Sequence, residues 1–175
     1  MSDTLSRAAA FARNAHAGQS RKGAAKEPYI SHVEEVAAFV ARHGGDEVAI
    51  AAAWLHDTVE DCAVRPDDLE RDFGAEVAGV VAELTDDKML EPARRKELQI
   101  ITAPKKSQRA ALVKLGDKAS NVRSVRLSRP EDWDIARCRA YLDWAEAVAG
   151  GLTHALPEAR AELAGAIAET RRHLG

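Results

Sequence analysis

Apolar residues recur every three to four positions along nearly the whole of this 175-residue chain, and strand-like alternation is almost absent. That period predicts an all-α fold, a helical bundle of about eight to ten helices. Residues 4–17 read as a first amphipathic helix, with Leu5, Ala8, Ala12 and Ala15 on one side. The Gly- and Pro-bearing segment GQSRKGAAKEPYI then reads as a polar, basic loop. A second helix spans 31–43, where Ser31 and Glu34 have the spacing of a capping box and Gly44-Gly45 mark the end. Asp46 caps a third helix, which runs on through WLHDTVED. Pro66 opens a short helix that stops at Gly74. Further helices follow at 75–84, 93–101, 105–127, 132–149 and 158–173, with TDDKMLEP as a loop. No repeat, low-complexity tract or linker interrupts them, so residues 1–175 read as one domain.

Charge and composition exclude several function classes. A net charge of −3 and a pI near 6.1 give no basic field to draw in nucleic acid. No apolar run approaches the ~20 residues that cross a bilayer. Cys62 and Cys138 are too few for a disulfide framework or a zinc knuckle, and fit a reducing compartment. The start, MSDTLSRAAAFAR, has no apolar stretch of the kind a secretory signal needs. The expectation is a soluble cytoplasmic protein with neither nucleic-acid nor membrane partners.

WLHDTVED, residues 54–61, stands out because it sets His56, Asp57, Glu60 and Asp61 into an otherwise apolar run. A buried carboxylate is costly unless it is paired or holds a cation. On one continuous helix, residues three and four apart share a face. His56 and Asp57 then reach one ion, and Glu60 and Asp61 stand a turn further along, placed to handle water or substrate. His32, at the start of the second helix, and Asp117, where ALVKLGDKASNV turns from apolar to polar, are the candidates that complete the set. Two histidines and two aspartates suit Mn²⁺, Fe²⁺, Co²⁺ or Zn²⁺ and not a thiolate zinc site. The remaining histidines, His16, His43, His154 and His173, fall at helix ends or on polar faces, which points to one metal. Such an ion supplies Lewis acidity and a nucleophile at neutral pH, so the expected chemistry is hydrolysis of a phosphate or other ester.

The order His32, His56-Asp57, Asp117 resembles the signature of the HD superfamily of metal-dependent phosphohydrolases. RKGAAKEPYISH, AAAWLHDTVED, FGAEVAGVVAELTDDK and LVKLGDKASNVRSV resemble the hydrolase domain of RelA/SpoT-type alarmone enzymes, over about residues 5 to 150. Within that family AELTDDK, RRKELQ and CRAYLDWAEAVAGGL look like the stand-alone small alarmone hydrolases, the animal SpoT homologue among them, and no synthetase region follows in this sequence. The resemblance implies one Mn²⁺ per chain, held by His32, His56, Asp57 and Asp117. It implies a 3′-pyrophosphohydrolase that converts guanosine 3′,5′-bis(diphosphate) to GDP, or the pentaphosphate to GTP, with pyrophosphate. Glu60 and Asp61 correspond to the family's acidic pair, which positions or deprotonates water and helps the leaving 3′-oxygen.

The same resemblance implies a nucleotide pocket containing Arg21, Lys22, Asn121, Arg137 and Tyr141, with Lys96 and Arg94 reaching the 5′-diphosphate. Arg21 gives a forked donor for phosphate and Lys22 a point charge. Asn121 follows Asp117 by four residues, on the same helical face. The loop GQSRKGAAKEPYI is more Ala-rich than the family's, and Ala119-Ser120 stands where it has bulkier residues; both bear on pocket shape and guanine preference. The alternative is the same metal site acting as a phosphatase on the 2′-phosphate of NADPH or on another nucleotide. A nucleotide sensor is a third reading, against which Glu60 and Asp61 stand.

Overall fold

Helices form where apolar period and chain-stopping residues coincide. The computed structural model describes residues 2–175 as α1 (Asp3–Ala15), α2 (Ile30–Arg42), α3 (Glu47–Leu55), α4 (Thr58–Asp61), α5 (Pro66–Phe73), α6 (Ala75–Leu84), α7 (Pro92–Thr102), α8 (Gln108–Leu127), α9 (Ile135–Gly151) and α10 (Pro157–Leu174). A 3₁₀ turn, Ala103–Lys105, precedes α8. Among the described residues there is no strand, only an isolated bridge between Ser20 and Pro28. No helix among them is long and apolar enough to cross a membrane.

α8 is the axis of the fold. Every residue from Ala110 to Ser120 is buried, and α2, α3, α6, α9 and α10 pack around it. A helix buried on all sides must either be apolar throughout or satisfy its polar groups internally. α8 does the second, carrying Lys114, Asp117, Lys118 and Ser120 into the interior. Small residues bring its neighbours close. A Cβ on Gly116 would lie 3.1 Å from the Phe39 ring of α2, so only glycine fits at that crossing without a shift. α3 presents Ala49, Ala51, Ala52 and Ala53 to α1, α2 and α6 for the same reason. Phe39 is fully buried at this junction. Phe39→Ala is expected to cost about 3–5 kcal/mol in urea unfolding, since the cavity lies between two helices that also carry the site. A loss under about 1 kcal/mol would show that the crossing collapses to fill the space.

Two local expectations are corrected. Ser31 does not cap α2: its hydroxyl donates to the Pro28 carbonyl at 2.8 Å, the N-cap is Tyr29, and Glu34 pairs with Arg13 at 2.9 Å. The third helix does not run through WLHDTVED. It stops at Leu55, and a separate turn begins at Thr58. Side chains compete for the carbonyls that would carry the helix on. His56 Nδ1 lies 2.8 Å from the Ala53 carbonyl, and the Thr58 hydroxyl donates to that of Leu55 at 2.7 Å.

Candidate metal centre

The break at His56-Asp57 puts two adjacent residues at the mouth of a buried cluster. Ligand-type atoms of His32, His56 and Asp57 lie within 4.8 Å of one another. Asp57 Oδ2 is 3.0 Å from His56 Nε2 and 3.5 Å from His32 Nε2, and Asp117 Oδ1 is 3.7 Å from His32 Nε2. α2, the α3–α4 junction and α8 thus each bring part of the set, and the four residues chosen on spacing and resemblance meet in one place.

Hydrogen bonding fixes which imidazole nitrogen faces inward. The Ala53 carbonyl can only accept, so His56 Nδ1 carries the proton. The Ser120 hydroxyl donates to Glu35, so it accepts from His32 Nδ1 at 2.8 Å. In each neutral imidazole Nε2 is then the lone-pair nitrogen, and both Nε2 atoms are buried without a hydrogen-bond partner. Two orphaned imidazole nitrogens beside two carboxylates are the donor set of a divalent transition-metal site, and the residues fit such an ion.

The carboxylates favour a positive charge at these nitrogens, whether a proton or a cation supplies it. Burial opposes charge on His56, but Asp57 and Asp117 outweigh it and lift the imidazole to about 9. Burial likewise disfavours a charged Asp57, yet His56 and His32 hold its carboxyl well below the usual range. Asp117 is held low in the same way, by Lys118 and Lys114 at 3.3 and 3.7 Å. Burial in turn pushes Lys118 down to about 8, and its ammonium lies 4.0 Å from the centre of the Trp144 ring. Asn121 donates to Asp117 Oδ1 at 2.7 Å. The Tyr29 hydroxyl, which the sequence reading passed over, donates to Asp57 Oδ2 at 2.6 Å. Carboxylates fixed by outer partners in this way are oriented before any ion arrives.

Glu60 and Asp61 sit on α4, outside that cluster. Glu60 accepts the Asp86 backbone N–H at 3.3 Å, and burial, with Asp86, Asp57 and Asp61 nearby, raises its pKa. Asp61 forms an ion pair with Lys88. Next to Asp61 a cavity of about 340 Å³ is lined by Arg21, Lys22, Asn121, Trp133 and Tyr141. The loop carrying Arg21 and Lys22 is seated on the end of α8. Ala25 N–H donates to the Ser128 hydroxyl at 2.9 Å, and a Cβ on Gly23 would meet the Ser128 carbonyl at 2.2 Å. Arg21 is itself buried, bonded to Glu35 at 3.4 Å and to the Ser120 carbonyl at 3.2 Å.

Three of the expected pocket residues fall elsewhere. Arg137 is exposed, pairs with Asp132 at 3.2 Å, and covers the outer face of the cavity-lining Trp133 with 4.9 Å to the ring centre. Lys96 does not line that cavity: its ammonium lies over Trp144, 5.2 Å from the ring centre, while its carbonyl accepts the indole N–H at 3.0 Å. Arg94 pairs with Glu97 at the surface. The site-facing cations from this region are Lys88 and Arg95, neither of which the sequence reading named.

Residues 8–142 match the family model described as HD domain. The enzyme named guanosine-3′,5′-bis(diphosphate) 3′-pyrophosphohydrolase MESH1 in Xenopus tropicalis is 44% identical over 147 residues, 83% of this chain and 82% of the relative. The Homo sapiens protein of that name is 44% identical over 150 residues, 85% of this chain and 84% of its own. A solved structure of a metazoan orthologue of SpoT, described as hydrolysing ppGpp, superposes with a TM-score of 0.92 at 36% identity, covering 97% of this chain and 96% of that one.

Proposed function

The chain belongs to the HD domain family, and from that premise we propose that it is a metal-dependent phosphohydrolase that removes pyrophosphate from the 3′ position of guanosine 3′,5′-bis(diphosphate). The observation that carries this reading is the pair of buried, unpartnered Nε2 atoms of His32 and His56 beside the Asp57 carboxylate, next to a polar cavity with Asp61 on its wall. The ion is Mn²⁺, one per chain, and His32, His56, Asp57 and Asp117 hold it. When bound, it supplies Lewis acidity and a nucleophile at neutral pH.

The remaining work falls to the chain's own groups. Arg21, Lys22 and Asn121 hold the nucleotide's phosphate and sugar, and Tyr141 and Trp133 flank the base, with Arg137 behind Trp133. Glu60 and Asp61 take the proton from the attacking water as its oxygen joins the 3′-phosphorus. The bond from that phosphorus to the 3′-oxygen breaks, and the same acids return a proton to the departing oxygen. A carboxyl such as Glu60, raised by burial, suits a group that must both take and return a proton. The cytoplasm, where nucleotides are plentiful, is the proposed compartment.

The test supplies Mn²⁺-loaded protein with guanosine tetraphosphate and, separately, with NADPH. Pyrophosphate release from the first, abolished by EDTA, is the expected result. Orthophosphate from NADPH with no pyrophosphate from the alarmone would keep the site and overturn the substrate. No turnover of either, with metal bound, would leave a nucleotide-binding protein and remove Glu60 and Asp61 from any proton role.

A further inference from the structure

Resting on the hydrolase reading, we propose that Lys88 and Arg95 form a clamp for the 3′-diphosphate that is released as pyrophosphate. Each cation faces one member of the acidic pair. Lys88 is ion-paired with Asp61, and Arg95 lies 3.7 Å from Glu60 Oε1. These contacts, with the Asp86 N–H bond to Glu60, lay the α6–α7 loop and the first turn of α7 along one side of the site.

On that side a second cavity opens, about 350 Å³, lined in part by Thr85, Asp86, Arg95, Gln99, Lys105 and Lys106. Its three acids each accept a hydrogen bond and keep their charge, which Arg95, Lys105 and Lys106 balance. Asp86 accepts from Gln99, the Glu83 carboxylate accepts the Ser107 N–H at 2.7 Å, and Asp87 accepts the Met89 N–H at 2.9 Å. Two of its cations are under-partnered. Arg95 Nε is buried with no partner, and the 3.7 Å contact to Glu60 is too long for a hydrogen bond. Lys105 is exposed and makes neither an ion pair nor a side-chain hydrogen bond among the described residues. A guanidinium edge with a free Nε–H beside ammonium groups is chemistry that phosphate oxygens satisfy.

Adjacent residues of α4 reach toward both cavities. Asp61 lines the first, and Glu60 contacts Asp86 and Arg95 of the second. A substrate with its 3′-phosphorus at the acidic pair has its nucleoside in the first cavity and its outer phosphate toward the second. On entry Lys88 and Arg95 exchange carboxylate for phosphate. Glu60 and Asp61 are then released from their cations at the moment they handle protons. Arg95 lies one residue, about 100° of helix, from Lys96, which is why these neighbours face the site and Trp144 respectively.

The test uses inorganic pyrophosphate and GDP as separate probes, titrated calorimetrically into the full chain with Mn²⁺ in excess. Wild type is compared with Arg95→Gln, Arg95→Lys and Lys88→Gln. Loss of one charge-assisted contact is expected to weaken pyrophosphate about tenfold in Arg95→Gln and Lys88→Gln. Arg95→Lys should fall between, and GDP should stay within about twofold throughout. Failure of wild type to bind pyrophosphate, or equal affinity in all four proteins, overturns the clamp. So does a parallel loss of GDP affinity, which would place these cations at the nucleotide. If Arg95→Gln does not fold, Lys88→Gln and Arg95→Lys still decide. Should pyrophosphate bind in an Arg95-dependent way while none is released from guanosine tetraphosphate, the hydrolase reading fails and the anion site stands.

Discussion

Asp117→Ala is expected to do two things: remove metal binding and cost about 3–5 kcal/mol of folding stability. The second effect follows from what surrounds Asp117. Its carboxylate is buried in α8 between Lys114 and Lys118, which are only 7% and 3% exposed. Deleting the carboxylate leaves two like charges facing each other out of water, with no counter-ion among the groups that touch them. A buried pair broken on one side costs far more than the pair contributes when intact. The measurement is urea unfolding of metal-free wild type and variant, because bound metal would add its own stabilisation to the wild type alone. A metal-free variant within about 0.5 kcal/mol of wild type would show that the lysines reach water and are not held by Asp117. Adding Lys118→Met should recover part of the loss, since an apolar side chain of similar length can stay beside Trp144 without a charge to compensate. Metal analysis of Asp117→Asn combined with Lys118→Met, which keeps the shape of the ligand and removes one of the two unpaired lysine charges, gives the ligand test with less of the folding effect. Stoichiometric metal in that variant would remove Asp117 from the proposed ligand set.

That entanglement of ligand and core shows what the sequence could and could not carry. The helices were legible because their apolar period is strong and because Pro66, Gly74 and Asp46 mark ends. His56, Asp57 and Asp117 were legible because each interrupts an apolar context, which is costly without a reason, and His32 because it stands at a helix start just after PYI. The break inside WLHDTVED was not. Helical spacing assumes that backbone carbonyls serve the backbone, and here His56 and Thr58 side chains bond to two of them. The Ser31–Glu34 box failed for a similar reason, since the hydroxyl found the Pro28 carbonyl and Glu34 found Arg13.

Positions that depend on tertiary contact lay furthest out of reach. Ser120 and Glu35 fix the ring of His32, yet they come from helices 85 residues apart in the chain. Arg21 joins the same network through a bond to the Ser120 carbonyl, 99 residues away. No local spacing announces such a link. The choice between Lys96 and Arg95 is a question of helical phase, and Trp144 of α9 settles it by covering Lys96. The sequence points to the segment, and the phase of α7 turns Arg95 toward Glu60 and Lys96 over Trp144.

Asp61→Asn is expected to lower kcat by about 10²–10⁴-fold while metal content and melting temperature stay near wild type. The separation rests on where Asp61 stands. It lies outside the His32, His56 and Asp57 group, and its side chain is 35% exposed, so an isosteric amide neither removes a ligand nor opens a cavity. What it removes is a carboxylate on the wall of the cavity proposed for the nucleotide. Glu60→Gln should fall as far, for Glu60 is the more enclosed of the two and burial already favours its protonated form. The two substitutions together should cost little more than the larger alone if the acids act as one proton relay. Saturating-substrate rates of pyrophosphate release, with metal measured on the same samples, decide the matter. Unchanged turnover in Asp61→Asn would take Asp61 out of the chemistry. A rise in KM with kcat intact would instead mean that its carboxylate serves only to hold Lys88, and proton transfer would then rest on Glu60.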